Sequence, residues 1–209
     1  MKILTRPIAL AIFFLFFDHL LWACPNLIDC SPAHPHVAGP WALFTTPYFP
    51  LAMTTLTAGS AMWEGADSRF GLTLWQSLDS AVIAGISTSV LKYSFQRARP
   101  TESANPNDWF SGSNHQSFPS GDVSNTAALV SPFIYEYGSD HPLVYLLGLI
   151  PAADMAARVE ARGHYPTDTI AGLALGLGSG WAARHYFKSP FTLQIIPGRD
   201  WSVGISRKF

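Results

Sequence analysis

Charge is scarce in this sequence. Lysine, arginine, aspartate and glutamate make up 13% of its 209 residues, against roughly 25% in an ordinary soluble domain. Its helices must be unusually apolar, or lie against a membrane. The formal net charge of −1 predicts no electrostatic attraction to nucleic acid. Cysteine occurs twice, at Cys24 and Cys30, and the Cys-x5-Cys spacing matches no zinc motif; an even pair in an exported chain suggests a disulfide. Long apolar runs are also missing. A membrane span needs about 20 apolar residues, and the helical candidates after Leu51 are shorter or carry Asp79, Asp154 or prolines. That favours a soluble or peripheral body and leaves an integral one open. Strand-like runs are few, Phe191–Ile196 and Trp201–Ser206 around Pro197-Gly198-Arg199-Asp200. They read as a β-hairpin and fall short of the about eight strands a barrel requires. The glycines of 172–180 lack any Rossmann context and read as close helix packing. There is no internal repeat, low-complexity tract or charge block.

At the N-terminus, Lys2 and Arg6 precede an apolar run from Ile8 to Phe17. That is the length of a signal peptide and short for a span. Residues 1–23 therefore read as an export signal or a retained anchor, with cleavage after Ala23 plausible. Leu21-Trp22-Ala23-Cys24 also loosely fits a lipoprotein cleavage site. Either way the body is expected outside the cytoplasm, in the periplasm or an equivalent space, and held to the membrane through residues 7–23 if they are kept. Residues 24–40 are proline-rich and read as an irregular wrapping segment; His34 and His36 within it read as loop histidines. The expected division is 1–23 signal or anchor, 24–188 catalytic domain and 189–209 hairpin packed on it.

Three islands carry the chemistry. The first is Lys92-x6-Arg99-Pro100, the second Pro119-Ser120-Gly121-Asp122, the third Arg158-x5-His164-x3-Asp168. Lys92 and Arg99 are seven apart, which on one helix puts them on one face, two turns along. Pro100 would end that helix, because the residue before a proline is pushed out of the α region. Arg97, five residues from Lys92, reads as solvent-facing. Pro119-Ser120-Gly121 predicts a tight turn opening a helix at about Val123, whose free N–H groups favour an anion. Gly121 lets the backbone approach that anion closely, and Arg158 offers a planar fork of donors suited to phosphate oxygens. His164 and Asp168 lie one turn apart, with Pro166 suited to a helix's first turn. A carboxylate so placed fixes the tautomer of an imidazole and stabilises its cation.

Together the islands resemble the type 2 phosphatidic acid phosphatase superfamily, whose pattern is Lys-x6-Arg-Pro, Pro-Ser-Gly-His and Ser-Arg-x5-His-x3-Asp. The resemblance implies an all-α helical bundle, here with the short C-terminal hairpin. It implies a phosphatase that needs no metal or cofactor. His164 would attack phosphorus and form a phosphohistidine, and Asp168 would orient it. Lys92, Arg99 and Arg158, with the Ser120 hydroxyl and the backbone N–H groups of Ser120 and Gly121, would hold the transition-state charge. Substrates would be phosphomonoesters or diphosphates, a phosphorylated small molecule or a lipid head group, with contact at a membrane surface. Two positions depart from the pattern: Ala157 replaces the serine and Asp122 the second histidine, the general acid of the family. Asp122 reads either as the replacement acid or as a helix cap. An isolated aspartate, with a pKa near about 3.9, is a poor proton donor at neutral pH. His115 is a second candidate donor. A vanadium haloperoxidase would require the missing histidine; a catalytically impaired phosphate- or lipid-binding relative would tolerate its loss.

Helices are expected from about Leu51, over Ser68–Leu91, Val123–Tyr137 with a kink at Pro132, His141–Arg158 and Thr169–Phe187. Asp79 reads as a structural residue of the second. The polar connection Thr101–Ser117 must lie at the mouth of the site, since it joins two phosphate-binding islands, and loops of this length are often lids. Trp109 and Phe110 would there either pack a substrate's apolar part or plug the loop onto the core.

Overall fold

The structure, a computed structural model, describes Asp29, residues 41–46 and 48–186, and the strands 192–196 and 202–206. Its helices are α1 (Trp41–Thr45), α2 (Tyr48–Glu64), α3 (Arg69–Phe95), α4 (Gly121–Tyr137), α5 (Leu149–Glu160) and α6 (Pro166–Tyr186), with a 3₁₀ segment over Pro142–Gly148. α4 lies at the centre, packed on α6 and α3, which also pack on each other. The strands Thr192–Ile196 and Ser202–Ser206 pair antiparallel, Thr192 opposite Ser206. The turn between them lies outside the described residues, as do the Cys24–Cys30 pair, His34, His36 and the N-terminal apolar run.

Local chemistry explains the boundaries. The Ser68 hydroxyl accepts the Gly71 N–H at 3.0 Å and starts α3, the usual service of an N-cap serine. α3 ends at Phe95, where Gln96 turns left-handed with φ 45° and closes the helix onto the Lys92 carbonyl. Arg99 therefore lies beyond α3, and the expectation that it shares a helix face with Lys92 is corrected. The chain after Gln96 instead pairs with the following loop, Ala98 N–H to the Asp108 carbonyl and Ser117 N–H to the Arg97 carbonyl.

α2 begins three residues before Leu51, because Pro50 sits in its first turn, where no N–H is needed. The single helix expected over 141–158 is split. A proline ring clashes with the carbonyl four residues back, so Pro151 separates the 3₁₀ segment from α5. Pro132, by contrast, is held inside a continuous α4.

The α4–α6 contact depends on glycine. A Cβ on Gly172 would stand 2.5 Å from the Ser120 carbonyl oxygen, and one on Gly176 2.5 Å from that of Ser124. Gly180 faces the Ser131 side chain, whose hydroxyl a Cβ would overlap. Spaced by four, these residues form one ridge along α6. Among the described residues one stretch, Pro142–Glu160, is long and apolar enough to cross a membrane.

Candidate functional site

The first turn of α6 sets the nucleophile end. Pro166 opens the helix, and Asp168 reaches back to accept the Tyr165 N–H at 2.9 Å, half of a capping box. The Asp168 carboxylate is fully buried and also accepts the Ser117 hydroxyl at 2.6 Å, while its other oxygen meets Arg97. Burial works against its charge, but His164, Arg97 and Ser117 outweigh that and hold its pKa below the usual carboxylate value. His164, 3% exposed, places Nδ1 3.7 Å from Asp168 Oδ2. This is longer than a hydrogen bond, and it becomes an ion pair only when the ring is protonated. Burial lowers the pKa of His164; Asp168 opposes this, and the charges of Arg99 and Lys92 add to it. The ring is thus kept neutral near pH 7. With Nδ1 facing Asp168, Nε2 is left for chemistry.

The candidate phosphate cradle comes from three directions. Lys92, in the last turn of α3, donates to the Gln116 carbonyl. Burial, then the charge of Arg99, lowers its pKa to about 8. Arg99 donates to the Gly163 carbonyl at 3.2 Å, which ties it to the segment before His164. Arg158, in the last turn of α5, gives Nε to Asp154 at 3.1 Å and Nη1 to Asp122 at 3.0 Å. Its Nη2 is buried without a partner among the described residues, as is the Ser120 hydroxyl. Unpaired buried donors are costly, so an acceptor brought there would be held well. Gly121 is the first residue of α4, where the N–H has no intrahelical acceptor. Lys92 packs beside it: a Cβ on Gly121 would lie 3.7 Å from Lys92 Cε, an ordinary contact distance.

Two expectations change here. The Ser120 N–H is not available to an anion, because it donates to the Asp168 carbonyl at 2.9 Å. Asp122 is not the cap of α4 either. The helix starts at Gly121 with Ser120 in the cap position, and Asp122 lies one residue inside, paired with Arg158. His115 sits on the loop and pairs with Glu102 at 2.9 Å. Trp109 plugs the loop down, edge-on to Phe95 and Phe118, whereas Phe110 is 71% exposed.

Sequence reasoning missed two residues of the site. Arg97 is 1% exposed, not solvent-facing. It pairs with Asp168 and Asp29, donates to the Pro106 carbonyl and Thr167, and lies 4.4 Å from the ring centres of both Trp109 and Tyr165. Helical spacing misplaced it, because the helix had already ended. Asp154, fully buried, receives Arg158 and the Thr126 hydroxyl. Burial raises its pKa to about 6, with Arg158 pulling the other way. Its i,i+4 spacing to Arg158 was a legible signal.

Residues 73–191 match the PAP2 superfamily. The chain belongs to this superfamily. The PAP2 match takes in every candidate residue from Lys92 to Asp168 and excludes Asp29. A lipid A 1-phosphatase of Porphyromonas gingivalis is 26% identical over 143 residues, 66% of this chain and 30% of that protein. The chain thus spans about a third of that relative's length. Among solved structures, the transmembrane PAP2-type phosphatidylglycerolphosphate phosphatase of Bacillus subtilis superposes with a TM-score of 0.54 at 22% identity, covering 85% of this chain and 95% of that one. LpxE of Aquifex aeolicus gives 0.43 at 17% identity, over 81% and 94%. The likeness to the Bacillus protein establishes the helical PAP2 fold.

Proposed function

We propose that this PAP2 protein hydrolyses phosphomonoesters or diphosphates, lipid-linked ones in particular, through a phosphohistidine. The observation that carries the reading is a buried imidazole kept neutral beside Asp168, in the field of Lys92 and Arg99. Two donors of the other islands, Ser120 Oγ and Arg158 Nη2, are buried and unspent among the described residues. His164 Nε2 would attack phosphorus; the P–O bond to the leaving group breaks and its electron pair departs on that oxygen. Asp168 would hold the resulting imidazolium. A water would then attack the phosphohistidine, lose a proton to solvent and release inorganic phosphate, with the P–N bond electrons returning to His164. Lys92, Arg99, Arg158, the Ser120 hydroxyl and the Gly121 N–H would carry the transition-state charge, making a metal ion unnecessary.

Asp122 shares the leaving-group side of this proposal. Paired with Arg158 it is an acceptor, so leaving groups that need little protonation should react best. The names of the similar proteins support a lipid phosphate as substrate. The N-terminal charge and apolar run support export and retention at a membrane surface.

The test is direct. Purified protein should release phosphate from an aryl phosphate, lose this with His164→Ala at an unchanged circular dichroism spectrum, and give an acid-labile phosphoryl adduct in the wild type. Vanadate should compete with substrate, and EDTA should change nothing. Near-normal turnover by His164→Ala, or metal-restored activity after EDTA, would refute the mechanism.

A further inference from the structure

We infer that Asp29, in the N-terminal segment outside the family match, is a positioning residue of the active site that acts on Asp168 through Arg97 and the first turn of α6. The inference rests on the proposed role of Asp168 beside His164. Asp29 makes two kinds of contact. Its Oδ1 accepts the Thr167 N–H at 2.9 Å and its Oδ2 the Thr167 hydroxyl at 2.8 Å. It thereby caps the helix that carries Asp168 from 138 residues away in sequence, supplying the anion a helix start favours. Oδ2 also pairs with Arg97 Nη2 at 2.8 Å, while Arg97 Nη1 meets Asp168.

The guanidinium is therefore shared between two carboxylates. It is locked by Trp109 and Tyr165 on its faces and by the Pro106 carbonyl at its edge, so it cannot swing away when one partner is lost. Sharing matters because Asp168 has to act on His164. With Asp29 present, part of the Arg97 charge is neutralised away from Asp168. Without it the whole charge falls on Asp168, and the hold of Asp168 on an imidazolium weakens. The groups that bear on His164 and Asp168 are Lys92 on α3, Arg97 and Arg99 after it, and Ser117 of the loop. Asp122, Asp154 and Arg158 form the adjacent cluster of α4 and α5. Asp29 is the charge that reaches this set from outside the PAP2-matched region. Asp29 would thus complete the catalytic apparatus.

The experiment uses the full chain and an aryl phosphate. Asp29→Asn keeps the shape and much of the capping ability but removes the charge. It should lower kcat about tenfold, the equivalent of one pKa unit of lost interaction, with KM within about twofold. The acid limb of kcat should move to lower pH, since His164 then gives up its proton more easily. Asp29→Glu should recover most of kcat. If Asp29→Asn lowers only the thermal midpoint and leaves kcat and its pH limb as in the wild type, Asp29 is merely a cap and the inference fails. Should Asp29→Asn not fold, Asp29→Ser replaces it: serine can still cap the helix but carries no charge, so the same kcat-specific loss is expected, and an unchanged kcat overturns the proposal. A wild type that releases no phosphate, or a His164→Ala variant that still does, sinks the phosphohistidine reading instead, so the two failures are distinguishable.

Discussion

His164 is buried and Lys92 half-buried, and both are shifted toward their neutral forms, with opposite consequences. A lowered histidine pKa keeps the nucleophile unprotonated at a pH where a free imidazole would begin to gain its proton. A lysine pKa of about 8 means that the cradle loses a positive charge as pH rises past that value. Since kcat/KM reports the free enzyme, its alkaline limb should lie near pH 8. A bound phosphate favours the ammonium, so the matching limb in kcat should lie higher. Lys92→Arg, which stays charged, should remove the limb; a pH–rate profile on one aryl phosphate checks this, and a limb that persists would point to another group. The acid side is less diagnostic, because phosphate monoesters themselves titrate near about pH 6. Asp122 poses the second question at this scale. With the cap position taken by Ser120, Asp122→Asn should alter leaving-group chemistry more than stability. If Asp122 supplies a proton, alkyl phosphates should slow by about 10² or more, the usual scale of general acid catalysis, while diphosphates and activated aryl phosphates hardly change. An equal small effect on both would leave Asp122 as a holder of Arg158 and the proton to water or His115.

At the scale of elements, the site is made where the N-terminal ends of α4 and α6 meet. The Ser120 N–H donates to the Asp168 carbonyl, so the helix that offers the hydroxyl is bonded to the helix that carries the carboxylate. Gly172 and Gly176 keep them close. Gly176→Ala would set a methyl 2.5 Å from a backbone oxygen and 2.6 Å from the Ala127 side chain. Neither can retreat inside packed helices. The variant should lose about 1–3 kcal/mol by overpacking. For a protein of this size that is on the order of 2–12 °C in Tm, and activity should fall further than stability as α6 is pushed off α4. Calorimetry beside a kcat measurement tests both; a neutral substitution would show that the contact is looser than drawn. The 27-residue α3 reaches from the Ser68 cap to Lys92, and its first turn is tied to the far end of α4 through Arg69, Glu136 and Asp140.

For the molecule as a whole, several ionisable groups are buried while large apolar side chains stand exposed among the described residues. Arg97, Asp154, Asp168 and His164 are buried. Leu51, Leu56, Trp63, Val82, Ile86 and Val90 are exposed, and Val82, Ile86 and Val90 repeat every four residues along α3. Large apolar patches outside usually mark a contact surface, and a lipid-phosphate substrate would bring one. The full chain should therefore stay with membranes through a high-salt wash and come off in detergent. Recovery in the salt wash would contradict a lipid-facing body and leave the N-terminal run as a cleaved signal.

The residue types of the candidate site and their order were legible because the chemistry is written locally. Ser-Gly before a helix and His-x3-Asp each fall within one turn or loop, so spacing carries them, whereas Lys-x6-Arg-Pro crosses the end of α3, where helical spacing misplaced Arg99. The all-α bundle was what the family resemblance implied, and Pro166 and Ser68 marked helix starts that the structure keeps. What spacing could not reach was which donors are spent. The Ser120 N–H is used by Asp168, the Asp122 carboxylate by Arg158, and Arg97 turns inward to two carboxylates. Those contacts join residues 36 to 71 positions apart, as in Ser117 to Asp168 and Arg97 to Asp168, and 138 apart for Asp29 and Thr167. Periodicity describes one element at a time. Burial and pairing are decided when the chain brings distant elements together, and only the tertiary structure records that.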